Sequence, residues 1–178
     1  HRDLHSFPTR RSSDLFEAIP FTGKNSLESI IPFLNQQHPI MLVHNTFSRK
    51  SDIEKASRYF RELWLAICPN ANLYIEETLP DISMFYQKGQ KICIGTDSLA
   101  SNHQLSVLEE LKTISRHFPD IPLQKLIGWA TLNGAEALGI SDRFGSFEPG
   151  KSPGINLISK VDFMNMKLTE DSRVKRLI

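Results

Sequence analysis

The sequence has little of what marks membrane, secreted or nucleic-acid-coating proteins. It contains only two cysteines, Cys68 and Cys93, which is too few for a disulfide scaffold and suits a reducing compartment. Its apolar runs are all shorter than a bilayer span. The 21 basic and 20 acidic residues leave a net charge of +1, without a basic stripe. We therefore expect a cytoplasmic protein whose partners include neither nucleic acid nor a membrane.

What the chain does have is enough apolar material for a core. Hydrophobic residues make up 40% of its 178 positions, and 11 of them are phenylalanine. The first fifteen residues differ in character, because they show neither helical nor strand periodicity. They include the string HSFPTRRSSDL, which resembles a translated sequencing adapter. We predict that residues 1–15 form an artefactual or disordered N-terminal segment without a functional role.

From Phe16 onward, strand and helix patterns alternate. Short continuous apolar runs predict strands buried on both faces of a parallel sheet, at Pro39–His44, Trp64–Cys68 and Lys91–Gly95. Their spacing of about 25 residues is typical of consecutive βα units. The pattern therefore predicts an α/β fold with right-handed crossovers.

Capping residues and helical spacing predict the helices between and after these strands. One helix is expected to begin at Asn25, another at a capping box formed by Ser51 and Glu54, and a third near Pro80, ending at Gly89. Two more are predicted at 104–116 and 122–138. The following residues, 144–154, are rich in turn formers, and 155–158 is predicted to be a strand of a separate small β element.

Two polar side chains follow strands of the predicted sheet. His44 ends the first strand, and Asp97 comes just after the third. Ligands of parallel α/β proteins bind at this carboxyl edge. An imidazole there can bind a metal or polarise a substrate, and a carboxylate can ligate a metal and accept a proton from water. Taken singly, each residue is more typical of a structural hydrogen-bonding or capping role. Because both stand at strand ends, a functional role and a structural role are about equally favoured for the pair.

Four segments stand out between Leu42 and Ile158: in order, LVHNTFS, CPNAN, CIGTDSLASNHQLSVLEEL and WATLNGAEALGISDRFGSFEPGKSPGINLI. Together they resemble motifs of the metal-dependent amidohydrolase superfamily. The subgroup with the greatest similarity contains deaminases and chlorohydrolases. The resemblance implies the C-terminal portion of a (β/α)8 TIM barrel, followed by a small β element of a composite β-sandwich. In that scheme, residues 16–142 form a partial barrel with strands 6 to 8, and residues 143–178 form the return segment of the sandwich.

The same resemblance implies chemistry for individual residues. Asp97 matches the metal ligand that also accepts the proton of the attacking water, and His44 matches a histidine that polarises the substrate or helps to hold the metal. The implied cofactor is a divalent metal, most often zinc, and the implied reaction is hydrolysis of a carbon–nitrogen bond other than a peptide bond. The substrate is expected to be a small heterocyclic amine or amide. Cys68 is expected to pack in the core, and His103 to lie in a solvated loop.

The sequence departs from the family pattern in its other metal ligands. Its six histidines, at positions 1, 5, 38, 44, 103 and 117, include no His-x-His pair. A zinc site needs three or more protein ligands, and the motifs present offer one or two. We therefore expect a fragment of a hydrolase that has no activity by itself. The alternative is a non-catalytic α/β binding module in which His44 and Asp97 are structural.

Overall fold

A computed structural model of the chain describes residues 23–178, so the predicted segment 1–15 lies outside the described residues. The chain divides into two units, residues 1–35 and 36–178. The described part of the first unit is helix α1 (Ser26–Ile30), continued by a 3-10 turn at Ile31–Phe33. The side chain of Asn25 accepts a hydrogen bond from the backbone N–H of Glu28 (2.8 Å), so the predicted helix start is confirmed.

The second unit alternates strands and helices before ending in a small hairpin. In chain order its elements are β1 (Ile40–Val43), α2 (Lys50–Tyr59), β2 (Leu63–Ile67), α3 (Pro69–Glu76), α4 (Ile82–Gln87), β3 (Lys91–Ile94), α5 (Val107–His117), α6 (Leu123–Ala130), α7 (Leu132–Ala137), β4 (Asn156–Ser159) and β5 (Arg173–Arg176). All three predicted strands of the parallel sheet form, with ends shifted by one or two residues. Among residues 23–178, no helix is long and apolar enough to cross a bilayer.

The first three strands form a parallel sheet in the order β1-β2-β3. All five residues of β2 are buried, and successive side chains point to opposite faces, so both faces of the central strand are covered. Strand β1 is different, because Met41 is 37% exposed and Val43 is 50% exposed. The expectation that β1 is buried on both faces is therefore wrong within the described residues. It is an edge strand, and one of its faces packs less closely.

The helices differ from the sequence predictions mainly at their ends. Helix α2 begins before the predicted capping box, with Arg49 as its N-cap. The carboxylate that reaches back to the backbone N–H of Arg49 belongs to Asp52 (2.9 Å) rather than to Glu54. Helix α3 was not predicted, and it begins with Pro69 at its first position. The predicted start of α5 at residue 104 is also wrong, since Ser106 caps that helix.

The helix predicted over 122–138 is broken into α6 and α7 at Thr131. Thr131 has φ −130° and ψ −87°, outside the helical region, and its hydroxyl donates to the carbonyl of Ile127 (2.7 Å). The turn-rich segment passes close to this break. A Cβ on Gly145 would lie 2.8 Å from the Cβ of Ala135 and 2.9 Å from the Cα of Leu132. Only glycine allows the two segments to approach this closely.

The C-terminal strands β4 and β5 form an antiparallel pair. Strand β4 matches the predicted strand 155–158 with a shift of one residue. Strand β5 was missed, because all four of its residues are exposed and its sequence Arg-Val-Lys-Arg has only one apolar residue.

Candidate functional site

The sheet brings the two predicted site residues to one edge. The backbone N–H of His44 donates to the carbonyl of Ala66 (2.9 Å), and that of Gly95 donates to the carbonyl of Ile67 (3.0 Å). These bonds extend the parallel pairing by one residue beyond β1 and β3. The chain therefore leaves β1 and β3 at the same level of the sheet. His44 and Asp97 both lie at its carboxyl edge.

Both residues adopt the left-handed backbone conformation. The φ angle is 67° for His44 and 57° for Asp97, and Asn45 follows His44 with φ 58°. This conformation costs a non-glycine residue about 1–2 kcal/mol, so surrounding contacts must hold it. At the first turn, the side-chain amide of Asn45 donates to the carbonyl of Leu42 (2.9 Å). Strained turns of this kind cluster at functional sites.

The two side chains approach without a direct hydrogen bond. The Nε2 atom of His44 lies 3.9 Å from Oδ2 of Asp97, and the side chains are 33% and 35% exposed. Two ligands about 2.1 Å from one tetrahedral zinc ion are separated by about 3.4 Å. The observed separation is within half an ångström of that value. Nitrogen and carboxylate oxygen are also donor atoms that zinc prefers, so the pair fits two positions around one ion.

Ser101 completes the surroundings of the Asp97 carboxylate. Its hydroxyl lies 2.5 Å from Oδ2 of Asp97, to which it donates, and 3.2 Å from the carbonyl of Ser98. Ser101 is only 8% exposed. This contact fixes the orientation of the carboxylate within its loop. Ser101 was not predicted as a site residue, although it stands four residues after Asp97 in the sequence.

Cys68 lies beneath the Asp97 loop. A Cβ on Gly95 would lie 3.1 Å from the sulfur of Cys68. Burial, with smaller contributions from the carboxylates of Glu110 and Asp97, raises the pKa of the Cys68 thiol to about 12. The thiol is therefore protonated at neutral pH, which agrees with the packing role expected for it.

Residues 23–178 contain no complete set of metal ligands. Nδ1 of His44 is buried and has no hydrogen-bond partner within residues 23–178. The same part of the chain contains no group of three His, Cys, Asp or Glu side chains that could hold a metal. His103 does not join the pair. It is exposed, as expected of a loop residue, and its ring packs edge-on against that of Tyr74, with 5.0 Å between centroids.

The alternation of parallel strands and helices places the protein in the α/β class, with polar residues at the carboxyl edge of its sheet. The sequence model of the amidohydrolase family matches residues 33–178 of the chain. The chain therefore belongs to the amidohydrolase family.

Several curated proteins are similar to the chain in sequence. A 5-methylthioadenosine/S-adenosylhomocysteine deaminase of Teredinibacter turnerae is 33% identical over 169 residues, which cover 91% of this chain and 37% of that protein. An adenosine deaminase of Helicobacter pylori is 26% identical over 142 residues, covering 78% of this chain and 33% of that protein. The chain thus spans about a third of the length of these relatives.

Solved structures share the fold. A zinc-containing adenosine deaminase from Xanthomonas campestris superposes with a TM-score of 0.67 at 23% identity, over 80% of this chain and 34% of that one. Escherichia coli guanine deaminase gives a TM-score of 0.62 at 24% identity, over 71% of this chain and 29% of that one. The α/β fold expected from the sequence, that of part of an amidohydrolase barrel, is confirmed.

Proposed function

We propose that the chain forms part of a metal-dependent hydrolase that removes an amino group from a heterocyclic ring. The observation that carries the proposal is the approach of His44 and Asp97 at the carboxyl edge of the sheet. In this assignment β1, β2 and β3 are strands 6 to 8 of a barrel, and residues 143–178 return to a small β-sandwich. Residues 16–142 then form the partial barrel.

Asp97 and His44 would hold or face the metal in this proposal. A bound divalent ion, with zinc favoured by the donor set, supplies the acidity that lets water lose a proton near neutral pH. Further ligands must come from outside the described residues, since these contain no cluster of three. The Ser101 hydroxyl donates to Oδ2 of Asp97 and leaves Oδ1 without that contact.

The proposed reaction is the addition of water to the ring carbon that bears the amino group, followed by loss of ammonia. Asp97 accepts a proton from water as the carbon–oxygen bond forms, and it returns that proton to the amino group as the carbon–nitrogen bond breaks. Nε2 of His44, 3.9 Å from Oδ2 of Asp97, would either bind the ion or, when it does not bind the ion, donate a hydrogen bond to the ring or to the new oxygen. The second hydrogen of the water moves from the added hydroxyl to a ring nitrogen, so the products are an oxo-substituted ring and ammonia, and no oxidant or reductant is needed.

The substrate proposed is an adenine nucleoside or a thioether derivative of one. Support comes from the relatives named as deaminases of 5-methylthioadenosine, S-adenosylhomocysteine or adenosine. This proposed substrate is more specific than the small heterocyclic amine or amide that the sequence predicts.

The test uses the protein expressed from the complete open reading frame of the gene. Its metal content and its release of ammonia from 5-methylthioadenosine are measured for the wild type, for Asp97→Asn and for the control Asp120→Asn. Asp120 is an exposed residue between α5 and α6. Asp97→Asn is expected to lower turnover by about 10²–10⁴-fold, because it removes the proton acceptor. The control is expected to match the wild type.

The proposal fails if the wild-type protein contains no divalent metal and releases no ammonia from any adenine nucleoside. It also fails if Asp97→Asn turns over as fast as the wild type. Either result would favour the non-catalytic module, in which His44 and Asp97 only stabilise the strand-end turns.

A further inference from the structure

We propose that Glu110 is a positioning residue for Asp97 and that it acts through the side chain of Asn102. The inference rests on the proposed role of Asp97 in metal binding and proton transfer. Glu110 lies on α5, in neither of the turns that carry His44 and Asp97, and it is completely buried.

The two carboxylate oxygens of Glu110 bind different elements. Oε2 accepts a hydrogen bond from the backbone N–H of Asn70, at the start of α3 (2.8 Å). Oε1 accepts one from the side-chain amide of Asn102 (2.8 Å). A second bond joins the same helices, because the hydroxyl of Thr113 donates to Oδ1 of Asn70 (2.6 Å). Glu110 thus connects the segment after the central strand to the loop after β3.

Asn102 carries this connection to the peptide group that precedes Asp97. It is 4% exposed, and its amide nitrogen also lies 2.8 Å from the carbonyl oxygen of Thr96, to which it donates. The peptide plane between Thr96 and Asp97 is therefore held at its carbonyl oxygen. Holding that plane favours the left-handed φ of Asp97, which the residue does not prefer by itself.

A carboxylate suits this position for a chemical reason. Both oxygens of Glu110 act as acceptors, and glutamine at this position could accept at only one of them. Burial raises the pKa of Glu110, while the hydrogen bonds from Asn70 and Asn102 act in the opposite direction. Burying a carboxylate costs stability. The hydrogen bonds of Glu110 to α3 and to the Asp97 loop offset that cost.

The first measurement is hydrogen exchange in the complete open reading frame protein, followed by mass spectrometry. The variants are Glu110→Gln and Asn102→Ala. Glu109→Gln is the matched control, because Glu109 is the preceding residue on α5 and binds Lys112 instead of the loop (2.8 Å). We expect exchange in peptides that cover residues 95–103 to rise about tenfold in both variants and not in the control. Peptides from β2 should remain unchanged. Asn102→Ala keeps the bond between Glu110 and Asn70, so it tests the loop even if Glu110→Gln folds poorly.

The second measurement separates positioning from a general structural role. Zn²⁺ affinity is compared for Glu110→Gln in the wild-type background and in the Asp97→Asn background. If Glu110 acts through Asp97, the substitution weakens Zn²⁺ binding severalfold in the first background and has no further effect in the second. Equal weakening in both backgrounds, or unchanged exchange at residues 95–103 in both variants, would overturn the inference. If Asp97→Asn itself leaves Zn²⁺ binding unchanged, the proposed function fails, and exchange at residues 95–103 then decides whether Glu110 positions the loop.

Discussion

Replacing Gly145 by alanine tests the close approach of the turn-rich segment to the break between α6 and α7. The added Cβ would lie 2.8 Å from the Cβ of Ala135, 2.9 Å from the Cα of Leu132 and 3.2 Å from the carbonyl oxygen of Thr131. None of these atoms is the end of a flexible side chain, so the backbone itself must move. Gly145 also has φ +91°, a conformation that alanine rarely adopts.

The expected loss of stability combines two costs. Left-handed backbone costs alanine about 1–2 kcal/mol, and overpacking costs about 1–3 kcal/mol. The lower entropy of the unfolded alanine chain returns about 0.4–1 kcal/mol. We therefore expect Gly145→Ala to lower the free energy of unfolding by about 1–5 kcal/mol.

Gly150 provides the matched control. Its φ is +90°, nearly the same as that of Gly145, but a Cβ there would meet no atom within 4 Å. Gly150→Ala therefore has the cost of a positive φ for alanine without steric overlap of the added Cβ. Urea denaturation of both variants measures the difference, provided that the slope of unfolding free energy against urea is unchanged. If Gly145→Ala is no more destabilising than Gly150→Ala, the close packing described here is wrong.

Two further predictions concern the core beneath the sheet edge. Because the folded-state pKa of Cys68 is raised from 9.0 to about 12, the folded protein holds a proton that the unfolded chain releases. Unfolding free energy should be constant below pH 9 with respect to this group and fall between pH 9 and 12 by up to about 1.4 kcal/mol per pH unit. The unfolding free energies of the wild type and of Cys68→Ala, measured by denaturation across that pH range, check this prediction. If both proteins lose stability equally as the pH rises, the prediction is wrong. Asn133→Ala should cost about 1–2 kcal/mol in unfolding free energy, because the Asn133 amide donates to the carbonyl of buried Ile92 (2.8 Å). No change in its urea midpoint would show that this bond contributes nothing.

The sequence was most informative where the signal is local. Three short apolar runs located the parallel strands, although only the central strand β2 is buried at every position. The positions of His44 and Asp97 after two of those runs predicted one shared edge, and the structure places their side chains 3.9 Å apart. The ordered motifs added the family, which the family model confirms. The ligand roles of the two residues stay predictions.

Helix boundaries were less predictable because competing local signals had similar strengths. Ser51 and Glu54 have the spacing of a capping box, but Asp52 forms the equivalent bond, to Arg49, two residues earlier. The break at Thr131 gave no warning in the sequence, since threonine is tolerated in helices and the apolar spacing continues through it. Its backbone conformation is decided together with the turn at Gly145, which packs against it.

By itself, the sequence determined the three parallel strands and the two strand ends at which polar residues stand, because both depend on neighbours along the chain. The tertiary structure alone decided that Glu110 reaches Asn70, 40 residues away, and that the Asn102 amide binds both Glu110 and the carbonyl of Thr96. It also decided that one face of β1 stays exposed within residues 23–178. These features depend on which distant segments pack together, and no periodicity in the sequence encodes such contacts.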